Sequence, residues 1–151
     1  RLAAAVAKLY RQDNTSAKIA IIAAKKLFPN WEREMAELGF STDDYELYNK
    51  NLMSRKGNNF LTDFNRYGGP DLVIIDEAHE GIRNYKNRIH KTCLQVQEQD
   101  RKVGKQIHFL HLITTTCNNR REDIYNILSP VLNRLERLKE FGLYNELFQG
   151  Y

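Results

Sequence analysis

Two adjacent carboxylates, Asp76 and Glu77, close an apolar run in the stretch PDLVIIDEAHEGIRN, residues 70–84, and His79 comes two residues later. A continuous run such as LVII, preceded by Gly68, Gly69 and Pro70, reads as a strand buried on both faces of a parallel sheet. Such a strand presents the residues after it at the carboxyl edge of the sheet, where ligands bind in open α/β folds. Phosphoryl transfer from a nucleotide needs a divalent ion across the phosphate oxygens and a polar group that positions the attacking water. Adjacent acids at a strand end can supply both. Asp76 would hold Mg²⁺ through a water, and Glu77 would orient the attacking water. The bland alternative for an Asp-Glu pair is a solvated loop, and the buried strand in front of this one weighs against it.

Other residues with chemistry are scattered. Thr114 and Thr116 sit in ITTTC at the end of a second apolar segment, residues 108–116, where β-branched residues favour strands in any case. His108 and His111 are three apart, a spacing that in a strand puts them on opposite faces, so with Cys117 they make no zinc site. Cys93 and Cys117 have neither metal-ligand spacing nor a small secreted chain around them, and are expected as reduced thiols.

The elements that must position these groups are legible from periodicity. Residues 1–12 place Leu2, Val6, Leu9 and Tyr10 at helical spacing among alanines that favour helix. AKIAIIAA, residues 17–24, predicts a buried parallel strand. Pro29 suits the first turn of a helix whose face carries Trp31, Met35 and Leu38, with Gly39 as its stop. Residues 41–51 are polar, with a short strand expected over 45–48. Phe60, Leu61, Phe64 and Tyr67 predict a helix that Gly68, Gly69 and Pro70 break. Ile89, Cys93 and Val96 then mark a helix lying on a sheet face, and residues 108–116 a further strand. Beyond residue 118, Leu128, Val131, Leu132, Leu135 and Leu138 repeat at helical spacing up to Gly142. Strands alternating with helices predict an α/β fold with a doubly wound, mostly parallel sheet flanked by helices, in one domain.

Composition bounds the rest. The chain of 151 residues is 42% hydrophobic, enough for one sizeable core. Its net charge of +4 is compatible with nucleic acid and equally with an ordinary soluble domain. No apolar run approaches bilayer length, and the alanine-rich start lacks signal-peptide polarity. A soluble protein of the cytosol is expected, bacterial or phage, or of the nucleus in a eukaryote.

DEAH after an apolar strand resembles the Walker B segment of superfamily 2 helicases and nucleic-acid translocases, and three flanks resemble the chromatin-remodeller-like branch. KKLFPNWEREMAELGF is similar to that branch's Leu-x-x-Asn-Trp-x-x-Glu helix, here Leu27, Asn30, Trp31 and Glu34. Arg83 and Asn84 match its Arg/Lys-Asn pair after DEAH. Asn119, Asp123, Tyr125, Asn126 and Leu128 match the turn and helix after its threonine motif. The resemblance implies the first RecA-like lobe of a protein that uses ATP and Mg²⁺ to move along nucleic acid, with duplex DNA favoured by the flanks. It implies that His79 couples the nucleotide site to the threonine motif, residues 112–117, where Thr114 and Thr116 match. Thr115 replaces a small residue and Cys117 a proline. It also implies that Lys25 and Lys26 touch the phosphate backbone of the tracked strand, a solvated lysine pair being the equal alternative.

One requirement is unmet. A Gly-rich loop with Lys and Ser/Thr, whose N–H groups cradle the phosphates, is missing; Gly104-Lys105 is followed by Gln106 and lies after DEAH. The expectation is therefore an incomplete P-loop NTPase lobe that begins downstream of its phosphate loop, lacks its second RecA-like lobe and is inactive alone. A degenerate, non-catalytic interaction module with a helicase-like fold is the alternative.

Overall fold

The computed structural model describes residues 2–53, 59–78 and 88–113. Four strands, β1 (Ile19–Ala23), β2 (Tyr45–Asn49), β3 (Leu72–Ile75) and β4 (His108–His111), form one sheet in the order β2-β1-β3-β4. Every pairing is parallel, with Ile19 opposite Tyr45 and Leu72, and Leu72 opposite His108. Helix α1 (Leu2–Asp13) precedes β1; parallel strands need crossovers, and α2 (Phe28–Glu37), α3 (Lys50–Met53), α4 (Asn59–Tyr67) and α5 (Arg88–Lys102) lie in them. The fold is α/β and doubly wound.

Two cores explain why the strands read as continuous apolar runs. Alternate residues of a strand face opposite ways. Ile19, Ile21, Ala23, Leu72 and Ile74 pack with α1 and α2, around Ala3, Ala4, Ala7, Trp31 and Met35. Ala20, Ile22, Val73 and Ile75 pack with the other three helices, around Met53, Phe60, Phe64, Ile89, Cys93 and Val96. Ile21, Ile22, Val73, Ile74 and Ile75 are wholly inaccessible to solvent. Truncating any of these isoleucines removes about 2–5 kcal/mol in a packed core.

Among the described residues the expected strands and helices are present, with adjusted limits. The 17–24 run pairs only over Ile19–Ala23, and the short strand after Ser41 extends to Asn49. The last strand is described over His108–His111; residues 114–116 lie outside the described residues, as do Cys117 and the helix expected beyond residue 118. In α1 the buried face is Ala3, Ala4 and Ala7, while Leu2 and Leu9 are 78% and 61% exposed. Small side chains let the helix lie close on the sheet, and the bulkier leucines take the far side. Pro29 does occupy the first turn of α2, and Gly39 closes that helix at φ +88°. Burial pushes the Cys93 thiol up to about 12, as expected for an inert core cysteine.

At the amino ends of the strands, Asp71 is the node. Its Oδ2 accepts from the Lys18 amide at 2.7 Å, and its carbonyl accepts from the His108 amide at 2.9 Å. Lys105 donates to the Gly69 carbonyl at 2.7 Å, and Tyr10 Oη lies 3.0 Å from His108 Nδ1. Nearby, Arg11 of α1 grips Asp44 at 2.7 Å just before β2, where Ser41 and Asp44 form a reciprocal capping box. The Arg11 hydrogen bond, with the Ser41 amide second, holds the Asp44 carboxyl below its ordinary value of 3.8.

Two outcomes are expected for stability. A Cβ at Gly69 would lie within 2.6 Å of the buried Phe64 ring, so Gly69→Ala is expected to lower unfolding free energy by about 1–3 kcal/mol in urea titration. Because the folded-state pKa of Asp44 is depressed, its stabilisation is present above the ordinary carboxylate range and lost as pH falls through the lowered value. Asp44→Asn should thus be less stable than the unaltered chain at about pH 7, with the difference shrinking as pH falls below the ordinary carboxylate range, measured by thermal unfolding across pH.

Candidate functional site

The carboxyl edge of the sheet is where the acids emerge, held by backbone bonds on two sides. The Asp76 amide donates to the Ile22 carbonyl of β1 at 2.9 Å. The Ala78 amide donates to the Leu112 carbonyl at 3.0 Å, and the Leu112 amide returns a bond to Ile75 at 2.9 Å. The turn is thereby pinned between β1 and the segment leaving β4. Asp76 and Glu77 are half-buried, whereas Ala78 is fully buried. The chain turns at Glu77 by adopting φ +49°, and it alone among the described non-glycine residues has a positive φ. An L residue in that region costs about 1–2 kcal/mol, so something must hold it there.

Two side chains converge on the turn from other elements. Trp31, on the first turns of α2, is 6% exposed and donates its indole N–H to Asp76 Oδ2 at 3.1 Å. A carboxylate has about four lone-pair sites, so this bond orients Asp76 and leaves it acceptor capacity for a cation's water shell. Lys50 begins α3 directly after β2 and is 6% exposed. Its ammonium donates to the Asp76 carbonyl at 2.8 Å and to the Glu77 carbonyl at 2.5 Å. Burying an ammonium is costly unless it is well paired, and charge-assisted hydrogen bonds of about 1.5–3 kcal/mol each offset that.

Of the residues singled out from sequence, Asp76 and Glu77 stand together at the strand end. Lys25 and Lys26 lie on a 3₁₀ turn immediately after β1, at the same edge, and both are exposed. His79, Thr114 and Thr116 lie outside the described residues, as do Arg83, Asn84 and the Asn119–Leu128 matches. Among the described residues no three His, Cys, Asp or Glu side chains cluster as metal ligands. A magnesium ion carried on nucleotide phosphates needs only one or two carboxylates, so Asp76 fits such an ion while a dedicated protein cage is not formed. A cleft of about 510 Å³ opens at the other end of the sheet, lined in part by Arg11, Lys18, Asp43, Tyr48, Asp63 and Phe64. It shares no residue with the acid turn, and in a parallel sheet the chemistry belongs at the carboxyl end.

Sequence reasoning left two of these roles unassigned. Trp31, read as part of the apolar face of its helix, is a core residue there; its N–H is also used, as buried indoles generally require. Lys50 carried no signal, because a lysine between two asparagines reads as solvated. No protein-family model matches the chain, and no curated protein matches it.

The indole bond is open to a double-mutant cycle. Trp31→Phe is expected to destabilise the chain by about 2–3 kcal/mol, and by about 1 kcal/mol less in an Asp76→Ala background, read by chemical denaturation.

Proposed function

We propose that this chain is the DEAH-bearing part of a helicase-type ATPase lobe, whose complete protein hydrolyses ATP with Mg²⁺ to move along nucleic acid, with duplex DNA favoured. The observation that carries the proposal is the acid turn: Asp76 and Glu77 leave a fully buried central strand and are fixed there by Trp31, Lys50 and the backbones of β1 and residue 112. A nucleotide's metal ion would supply charge neutralisation on the phosphate oxygens. Asp76 would hold that ion's water shell on the carboxylate that Trp31 orients. Glu77 would accept a hydrogen bond from the attacking water and draw it into line, a role worth about 10²–10⁴ in rate.

Other features support this reading. The exposed Lys25 and Lys26 stand at the same edge, where they are accessible to a phosphate backbone. His79, Thr114 and Thr116 would relay nucleotide state to a second RecA-like lobe. The 151 residues contain no Gly-x-x-x-x-Gly-Lys-Ser/Thr, so the phosphate cradle must come from sequence outside them, and the isolated chain is expected to be inactive. The replacements Thr115 and Cys117 favour a second reading, a non-catalytic interaction module that keeps the fold. Among the described residues no helix is long and apolar enough to cross a membrane. A cytosolic or nuclear place is part of the proposal.

The test is DNA-stimulated ATP hydrolysis by a protein in which this chain is joined to a phosphate loop and a second lobe. Glu77→Gln should lower the steady-state rate at least about 100-fold while nucleotide binding persists. Equal rates in the two proteins would overturn the role given to Glu77, and no hydrolysis in either would leave the interaction-module reading standing.

A further inference from the structure

Lys50 lies in an unusual place for a lysine. It comes directly after β2, yet its ammonium meets the turn after β3, and β1 runs between those two strands. The chain leaving β2 and the lysine side chain together therefore bridge the carboxyl edge of the sheet, past β1, to reach those acceptors. Those acceptors are the main-chain carbonyls of Asp76 and Glu77, the two residues that the proposed chemistry needs. Glu77 is also the residue with φ +49°. A peptide unit in that conformation turns its carbonyl away from the direction an ordinary strand exit would give, and the ammonium sits where both carbonyls converge. Three rotatable N–H donors on a compact charge suit this convergence; a planar guanidinium does not.

We infer that Lys50 is a positioning residue for the acid turn: by binding the carbonyls of Asp76 and Glu77 it holds Glu77 in the left-handed conformation and so sets where both carboxylates point. The assignment of a task to those carboxylates rests on the metal–nucleotide reading above; the hold on the backbone does not. Charge and position make opposite demands on cation binding here. If Lys50 acted only as a nearby positive charge, removing it would tighten the binding of a divalent ion. If it positions the turn, removing it weakens that binding although a repelling charge has gone.

Two measurements on the full chain decide the matter, with folding of each variant checked by circular dichroism. The first compares Gly with Ala at position 77, which isolates the backbone preference from the lost carboxylate. In the unaltered background Glu77→Gly should have a folding equilibrium constant about fivefold above that of Glu77→Ala, because glycine enters the left-handed region without penalty. In a Lys50→Gln background that advantage should vanish; an advantage that persists at full size overturns the inference. Lys50→Arg, which keeps the charge and loses the geometry, should show a reduced advantage, and a full one would count against the proposal. The second measurement is the affinity for Mn²⁺ alone, monitored by electron paramagnetic resonance. Lys50→Gln should weaken it about three- to tenfold, and unchanged or tighter binding overturns the positioning role. If the unaltered chain binds no Mn²⁺ without nucleotide, the metal–nucleotide reading is untouched and the Gly–Ala comparison alone decides what Lys50 does.

Discussion

The structure depends on one constraint: β3 is buried on both faces and bonded along both edges. Leu72, Val73, Ile74 and Ile75 can satisfy their amides and carbonyls only through β1 and β4, because no water reaches them. That requirement sets the register of the neighbouring strands. It also fixes the point at which the chain leaves the sheet. Asp76 is the first residue past the pairing of Ile75, and its amide continues the ladder to Ile22 before the turn begins. The position of the acids is a result of strand pairing rather than of loop conformation.

Around that strand the two ends of the sheet are built differently. At the amino ends, polar side chains bond mainly to main chain and to one another: Lys105 to Gly69, Asp71 to Lys18, Arg11 to Asp44. Such exposed pairs contribute little each, and together they fix where α1 and the 105–108 segment meet the sheet. At the carboxyl ends, a buried tryptophan and a buried lysine are directed at one short turn. Burying polar donors is worthwhile only where their acceptors are held still. The asymmetry marks the carboxyl edge as the one whose geometry is specified beyond what folding requires.

Much of this was legible in the sequence, for identifiable reasons. Strands buried on both faces appear as unbroken apolar runs, so β1 and β3 declared themselves, and Asp76 and Glu77 were located with β3. The helix around Trp31 and Met35 announced itself through Pro29 and Gly39. What escaped were features that depend on distance in space. The alanine face of α1 lost to the leucines in a reading by hydrophobicity, since closeness of approach has no signature in one chain. Lys50 escaped because its acceptors are backbone carbonyls, 26 and 27 residues away, which no residue type advertises. His79, Thr114 and Thr116 lie outside the described residues, and their expected coupling role remains a proposal.

The strand order has a consequence in time as well as in space. Since every pairing is parallel, no two neighbours in the sheet are joined by a hairpin, and each contact closes a long loop before it gains anything. β1 comes first in the chain and lies between β2 and β3, so it waits for both. The turn at Glu77 waits longer, because the Ala78 amide finds its acceptor only when Leu112 arrives behind β4. During synthesis the acids emerge well before the segment that shapes them. A nascent chain that has not yet reached Leu112 thus carries both carboxylates without the bond that closes their turn on that side.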